Sequence, residues 1–195
     1  MRRYESVNTD ALMELLAKYD IKLKETKHYR LALTHSSYAN EHNLVSNERI
    51  EFLGDAILGL LVAEYIYTNF ESMHEGTMSK LRATYVCEDA NAKYARTIGI
   101  DQLLLLGRGE EATGGRNRNA ILSDAFESFL GAVYLSTGIK DVKKILEKEV
   151  FPLILARDEK PFIDYKSRLQ EYVQAEQDTI HYNIIDDSIY NIYNV

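Results

Sequence analysis

Apolar residues recur along this chain at helical rather than strand spacing. Leu12, Leu15, Leu16 and Tyr19 form a stripe at intervals of three and four, the repeat that lines one face of an α-helix. Thr9 or Asp10 stands where an N-cap is expected. Leu31 and Leu33 precede a polar turn, THSSYAN, at 34–40. A long, largely apolar helix is predicted from Asn47 to about Phe70. Gly76 interrupts the pattern, and Thr77 or Ser79 can cap a helix running through Lys93. A further helix over Glu88 to Ile98 is either continuous with it or bent. GRGEEATGGRNRN, Gly107 to Asn119, is rich in glycine and charge and reads as a loop. Helices are then expected over Ala120 to Ser136, ended by Thr137 and Gly138, and from Asp141 to a point before Pro152. There is no internal repeat.

The 195 residues suit one domain plus a remainder, taking roughly 150 residues per domain. An apolar share of 46% is ordinary for a globular protein and sufficient for a core without disulfides. Cys87 is the single cysteine, so no intramolecular disulfide forms, which fits a reducing cytoplasm. The start, MRRYESVNTD, has no apolar run behind its arginines and no secretory signal is expected. The most apolar stretch, Ala56 to Tyr67, is broken by Glu64 and falls short of the ~20 residues of a membrane span. The net charge of −7 is uneven. Residues 1–157 carry 20 Lys and Arg against 22 Asp and Glu, and residues 158–195 carry 3 against 8. The first part is thus near neutral and compatible with an anionic partner if cations offset its acids. The tail is acidic.

The acids have a pattern. Glu48, Glu51 and Asp55 fall at i, i+3 and i+7 on the long apolar helix, hence on one face. Asp124 and Glu127 repeat the i, i+3 spacing on a second apolar helix. Carboxylates at the edge of apolar helices are costly unless paired or metal-bound. Two such helices can converge on a hard cation, and Mg²⁺ prefers a few carboxylates with waters. Acids at i, i+3 are also commonly a solvated face, or partners for basic neighbours such as Arg49, Lys80 and Arg82. Spacing alone leaves both readings open.

Four segments, in order, resemble the ribonuclease III family: LALTHSSYAN at 31–40, NERIEFLGDA at 47–56, EGTMSKLRA at 75–83 and ILSDAFESFLGAVYLSTG at 121–138. The resemblance spans about Leu12 to Gln177. It implies an all-α endonuclease domain over residues 1–157 that cuts double-stranded RNA with Mg²⁺, or Mn²⁺ in its place. The expected products carry 5′-phosphate and 3′-hydroxyl ends with a short 3′ overhang, and the implied roles include ribosomal and other RNA processing in the cytoplasm. Glu51, Asp55, Asp124 and Glu127 match the family's metal ligands, Asp55 and Glu127 being catalytic. Glu48 and Glu75 match supporting acids of the catalytic valley. Phe52 matches the aromatic residue that inserts into the partner of a homodimer. A non-cutting RNA-binding or assembly module is the alternative; it expects lost carboxylates, and the set is complete here.

After a charged linker at 158–163, DYKSRLQEYVQ resembles the first helix of an α-β-β-β-α double-stranded RNA-binding domain, with Ser167 and Gln170 at positions that touch the minor groove. HYNII resembles its first strand. The later elements are missing before Val195, so residues 164–195 are expected to be an incomplete or remnant domain, with weak, less salt-sensitive RNA binding. Arg108, Arg116 and Arg118 in the glycine-rich segment are candidate phosphate contacts. That segment lacks the Gly-Lys-Ser/Thr ending of a P-loop, so no nucleotide cofactor is expected. His35 is expected to be buried and hydrogen-bonded, Cys87 a small core residue, and Tyr85, Tyr94 and Tyr134 to pack in a core or interface.

Overall fold

The computed structural model describes residues 7–156. The linker at 158–163, the segment 164–195 and the candidates Ser167 and Gln170 lie outside them. Ten α-helices are described: α1 (Thr9–Ala17), α2 (Lys27–Ala32), α3 (Ser36–His42), α4 (Glu48–Asn69), α5 (Glu75–Tyr85), α6 (Glu88–Ile98), α7 (Arg108–Ala112), α8 (Asn119–Thr137), α9 (Ile139–Glu149) and α10 (Phe151–Leu155). No strand occurs among the described residues. One isolated parallel bridge joins Thr34 to Leu105, with Leu105 N–H donating to Leu33 O at 2.8 Å and His35 N–H to Leu105 O at 3.1 Å. None of these helices is long and apolar enough to cross a membrane.

The centre is α8. Its sequence is apolar on nearly every side, Asp124 and Glu127 apart, and such a helix must be largely surrounded. It packs against α4, α6, α2 and α9, and Leu122, Phe126, Phe129 and Leu130 are fully buried. Rings join the layers: Tyr29 of α2 meets Phe129 at 5.9 Å between centroids, and Tyr94 of α6 meets Phe126 at 5.3 Å. Tyr65 of α4 stacks on Phe151 of α10 at 4.0 Å. Burying one such aromatic contributes about 1.5–3 kcal/mol.

The crossing of α4 with α8 is unusually close. A Cβ on Gly54 would stand 1.8 Å from the carbonyl oxygen of Glu127, and one on Gly131 would stand 2.6 Å from the carbonyl oxygen of Ile50. Only glycine allows the two backbones to meet at these positions.

Several local expectations are corrected. The polar turn at 34–40 gives way to α3, whose N-cap is His35. The loop predicted over 107–119 contains α7 and a 3₁₀ turn, Gly115–Asn117. Gly76 does not break the pattern but sits in the first turn of α5, which begins behind His74. The cap of α1 is Asn8, whose Oδ1 accepts from Ala11 N–H at 3.1 Å. The helix α9 closes at Glu149, before Pro152 as expected, and Pro152 falls in the first turn of a further helix, α10, where its missing N–H costs nothing. Cys87 is exposed at the head of α6 instead of buried in the core. Tyr94 is core. Tyr85 is half-buried with its hydroxyl on Leu153 O at 2.9 Å. Tyr134 is exposed on this chain.

Candidate active site

The α4–α8 crossing brings acids from the two helices within each other's fields. Gly54 lies between Glu51 and Asp55, and the backbone it touches is that of Glu127, one turn beyond Asp124. Glu51, Asp124 and Glu127 are half-buried, and Glu48 and Asp55 are exposed. Burial pushes the Glu51 carboxyl up to about 7, with the charges of Asp124, Glu48 and Asp55 adding to it. Burial likewise pushes Glu127 up to about 8, reinforced by Asp55, Glu51 and Asp124. Asp124 is raised by burial, opposed by His35 and reinforced by Glu88. Like charges crowded out of water disfavour ionisation in this way. No three His, Cys, Asp or Glu among the described residues stand close enough together to hold an ion as their side chains lie. The acids therefore share one electrostatic site without a gathered ligand cage.

The other candidates are placed as follows. Glu48 accepts from Ser46 Oγ at 2.8 Å. Glu75 accepts from Ser79 Oγ at 2.8 Å and lines a shallow groove with Ala63, Ile66, Tyr67 and Arg82. Those α4 residues lie roughly two to three turns beyond Asp55. Phe52 is 79% exposed. Arg116 is committed internally: its guanidinium donates to the carbonyls of Asp101 and Leu104 at 2.5 and 3.1 Å and grips both oxygens of Glu111 at 2.9 and 2.5 Å. Arg118 pairs with Glu110 at 2.5 Å and donates to Thr113 Oγ1 at 3.0 Å. Arg108 is exposed. His35 is half-buried rather than fully so, and its Nδ1 accepts from Ser37 N–H at 3.2 Å.

One residue of the site escapes a reading of motifs. Asn91 of α6 is fully buried, and its Nδ2 donates to Glu127 Oε1 at 2.8 Å and to Ser123 Oγ at 3.3 Å. This bond opposes the upward push on Glu127. The signal available in the sequence is a polar residue at i, i+4, i+7 spacing with Ala95 and Ile98, on a face otherwise buried and apolar.

Residues 25–154 match the Ribonuclease-III-like family. The chain is 47% identical over 178 residues to Ribonuclease 3 of Halalkalibacterium halodurans, spanning 89% of this chain and 68% of that protein. It is 49% identical to Ribonuclease 3 of Syntrophomonas wolfei, spanning 81% and 69%. The nuclease domain of ribonuclease III from Campylobacter jejuni is similar in structure, with a TM-score of 0.65 at 37% identity, covering 77% of this chain and 98% of that one. These matches set the chain among helical endoribonucleases that act on double-stranded RNA. It belongs to the ribonuclease III family.

Proposed function

We propose that this chain, as a homodimer, hydrolyses both strands of double-stranded RNA with Mg²⁺ held by Glu51, Asp55, Asp124 and Glu127, Mn²⁺ serving as a substitute. The observation that carries the reading is the electrostatic state of the α4–α8 crossing. Burial and mutual repulsion hold Glu51 near 7 and Glu127 near 8. A divalent cation is the partner that relieves such a cluster. The donor set is all carboxylate oxygen, the chemistry Mg²⁺ takes. When bound, Mg²⁺ supplies charge stabilisation at the phosphate and lowers the pKa of water.

The chain's own residues do the rest. Asp55 and Glu127 bind from opposite helices, so their separation is fixed by the crossing rather than by flexible loops. Glu127 has one oxygen on Asn91 and keeps the other for the site, where it orients the attacking water. Glu48 and Glu75 are supporting acids, Glu48 through its field on Glu51.

Assembly is supported by α4. Phe52, Leu60 and Tyr67 are 79%, 60% and 74% exposed and lie eight and seven residues apart, so they form one outward apolar stripe. Such a stripe marks an interaction surface. The Campylobacter jejuni nuclease domain has a region involved in dimer formation. The natural substrates are proposed to be ribosomal and other structured RNAs in the cytoplasm.

Incubation of a long RNA duplex with purified protein tests the reading. Mg²⁺ is expected to give short duplexes with 5′-phosphate and 3′-hydroxyl ends, and excess chelator none. Equal cutting in chelator, or 5′-hydroxyl ends, would refute it.

A further inference from the structure

We infer that Asn91 is a positioning residue for the Glu127 carboxylate and, through it, sets the affinity of the site for its divalent cation. The inference rests on the metal-binding reading above. Asn91 has no exposed surface, and its Oδ1 has no hydrogen-bond partner among the described residues. A buried amide with an unsatisfied oxygen costs stability. Its neighbours on α6, Ala92, Ala95 and Ile98, are buried apolar residues, so an aliphatic side chain would suit the fold at position 91. The amide's strongest bond is the 2.8 Å one to Glu127, and Ser123 Oγ and Val86 O stand at 3.3 Å.

The orientation of the amide follows from chemistry. Val86 O and Glu127 Oε1 only accept when Glu127 is ionised, so the NH₂ group must face them. Turning the amide would set its oxygen against the carboxylate. Asn91 is therefore a fixed donor that favours the ionised carboxylate and pins Oε1, leaving Oε2 for the site. Its helix is itself held, since Tyr94 packs on Phe126 of α8 at 5.3 Å. A donor that orients a ligand in this manner typically contributes about 10–100-fold in metal affinity or activity when lost.

The test uses the full chain and Mn²⁺ as the probe, titrated calorimetrically without RNA, with melting temperatures measured alongside. Asn91→Leu fills the site and Asn91→Ala leaves a cavity, so the two are expected to differ in melting temperature. Both are expected to bind Mn²⁺ about tenfold more weakly than the wild type and to lower kcat with KM for the duplex unchanged. Mn²⁺ affinity within twofold of wild type in either folded variant would overturn the inference, as would affinity losses that track melting temperature. Wild-type protein binding no Mn²⁺ would overturn the metal-site reading together with it.

Discussion

The backbone carbonyl of Glu127 occupies the space a side chain on residue 54 would need: an added Cβ would stand 1.8 Å from its oxygen. The contact is with main chain, which cannot swing aside as a flexible side chain can. Gly54→Ala is therefore expected to push α4 from α8, at a cost of about 2 kcal/mol or more. That corresponds to a fall of roughly 4–8 °C in melting temperature for a chain of this size. Cleavage should fall further than stability predicts, because the acids ride on the displaced backbones. A variant that melts and cuts like the wild type would show that the crossing has slack.

The apolar stripe of α4 predicts assembly. Phe52→Ala removes its most exposed aromatic. Truncating a buried interface aromatic commonly costs about 2 kcal/mol or more, at least about tenfold in the dimer dissociation constant. Light scattering over a concentration series should show the shift. A wild type that stays monomeric at micromolar concentration would contradict the proposal.

The two arginines of the 115–118 turn and Arg108 are expected to behave differently. Arg116 ties Glu111 to the carbonyls of Asp101 and Leu104. Arg116→Ala should cost about 1–3 kcal/mol of stability and leave duplex affinity within twofold. Arg118, paired with Glu110 at the surface, should matter little to stability. Exposed Arg108 is the better phosphate contact: Arg108→Ala should weaken binding to all duplex sequences and reduce the salt slope by about 1. Loss of affinity on Arg116→Ala alone would reverse this assignment.

Much of this architecture is legible in the sequence, for identifiable reasons. The α4 and α8 helices are long apolar runs whose acids interrupt them at helical spacing, so both the elements and the shared face follow from periodicity. The short helices α3 and α7 are not legible in that way. Their residues favour turns, and the order comes from contacts distant in sequence: Gly107 N–H donates to Ser37 Oγ at 2.9 Å and Arg108 N–H to Glu41 Oε1 at 2.8 Å. The role of Asn91 is not legible in the sequence, because its partner, Glu127, lies 36 residues away. Glu75 shows the limit of a motif: the match supplies the residue type, but only the fold shows that it lines a groove with Ala63, Ile66 and Tyr67 of α4.

Metal-free protein should show a characteristic pH dependence. Glu51 and Glu127 stand at about 7 and 8 in the folded chain, above their ordinary 4.5. Across that interval the folded state holds protons that the unfolded state releases, so stability falls as pH rises. The contribution is fully present below about 4.5 and is lost by about 8. Glu111 and Asp141, held low by Arg116 and Lys144, act only below this window. With chelator present, melting temperature is expected to drop between about pH 5 and 8, and Glu127→Gln should flatten the drop. A rise over the same interval would contradict the assigned environments.

If carboxylates across the α4–α8 crossing carry the chemistry, Glu127→Gln exposes it. The change keeps shape and removes one charge. Single-turnover cleavage of a long RNA duplex in Mg²⁺, with duplex binding measured separately in Ca²⁺, separates chemistry from affinity. Near-complete loss of cleavage is expected, at least about a hundredfold as for other essential site groups, with binding within a few-fold of the wild type. Cleavage at the wild-type rate would contradict it.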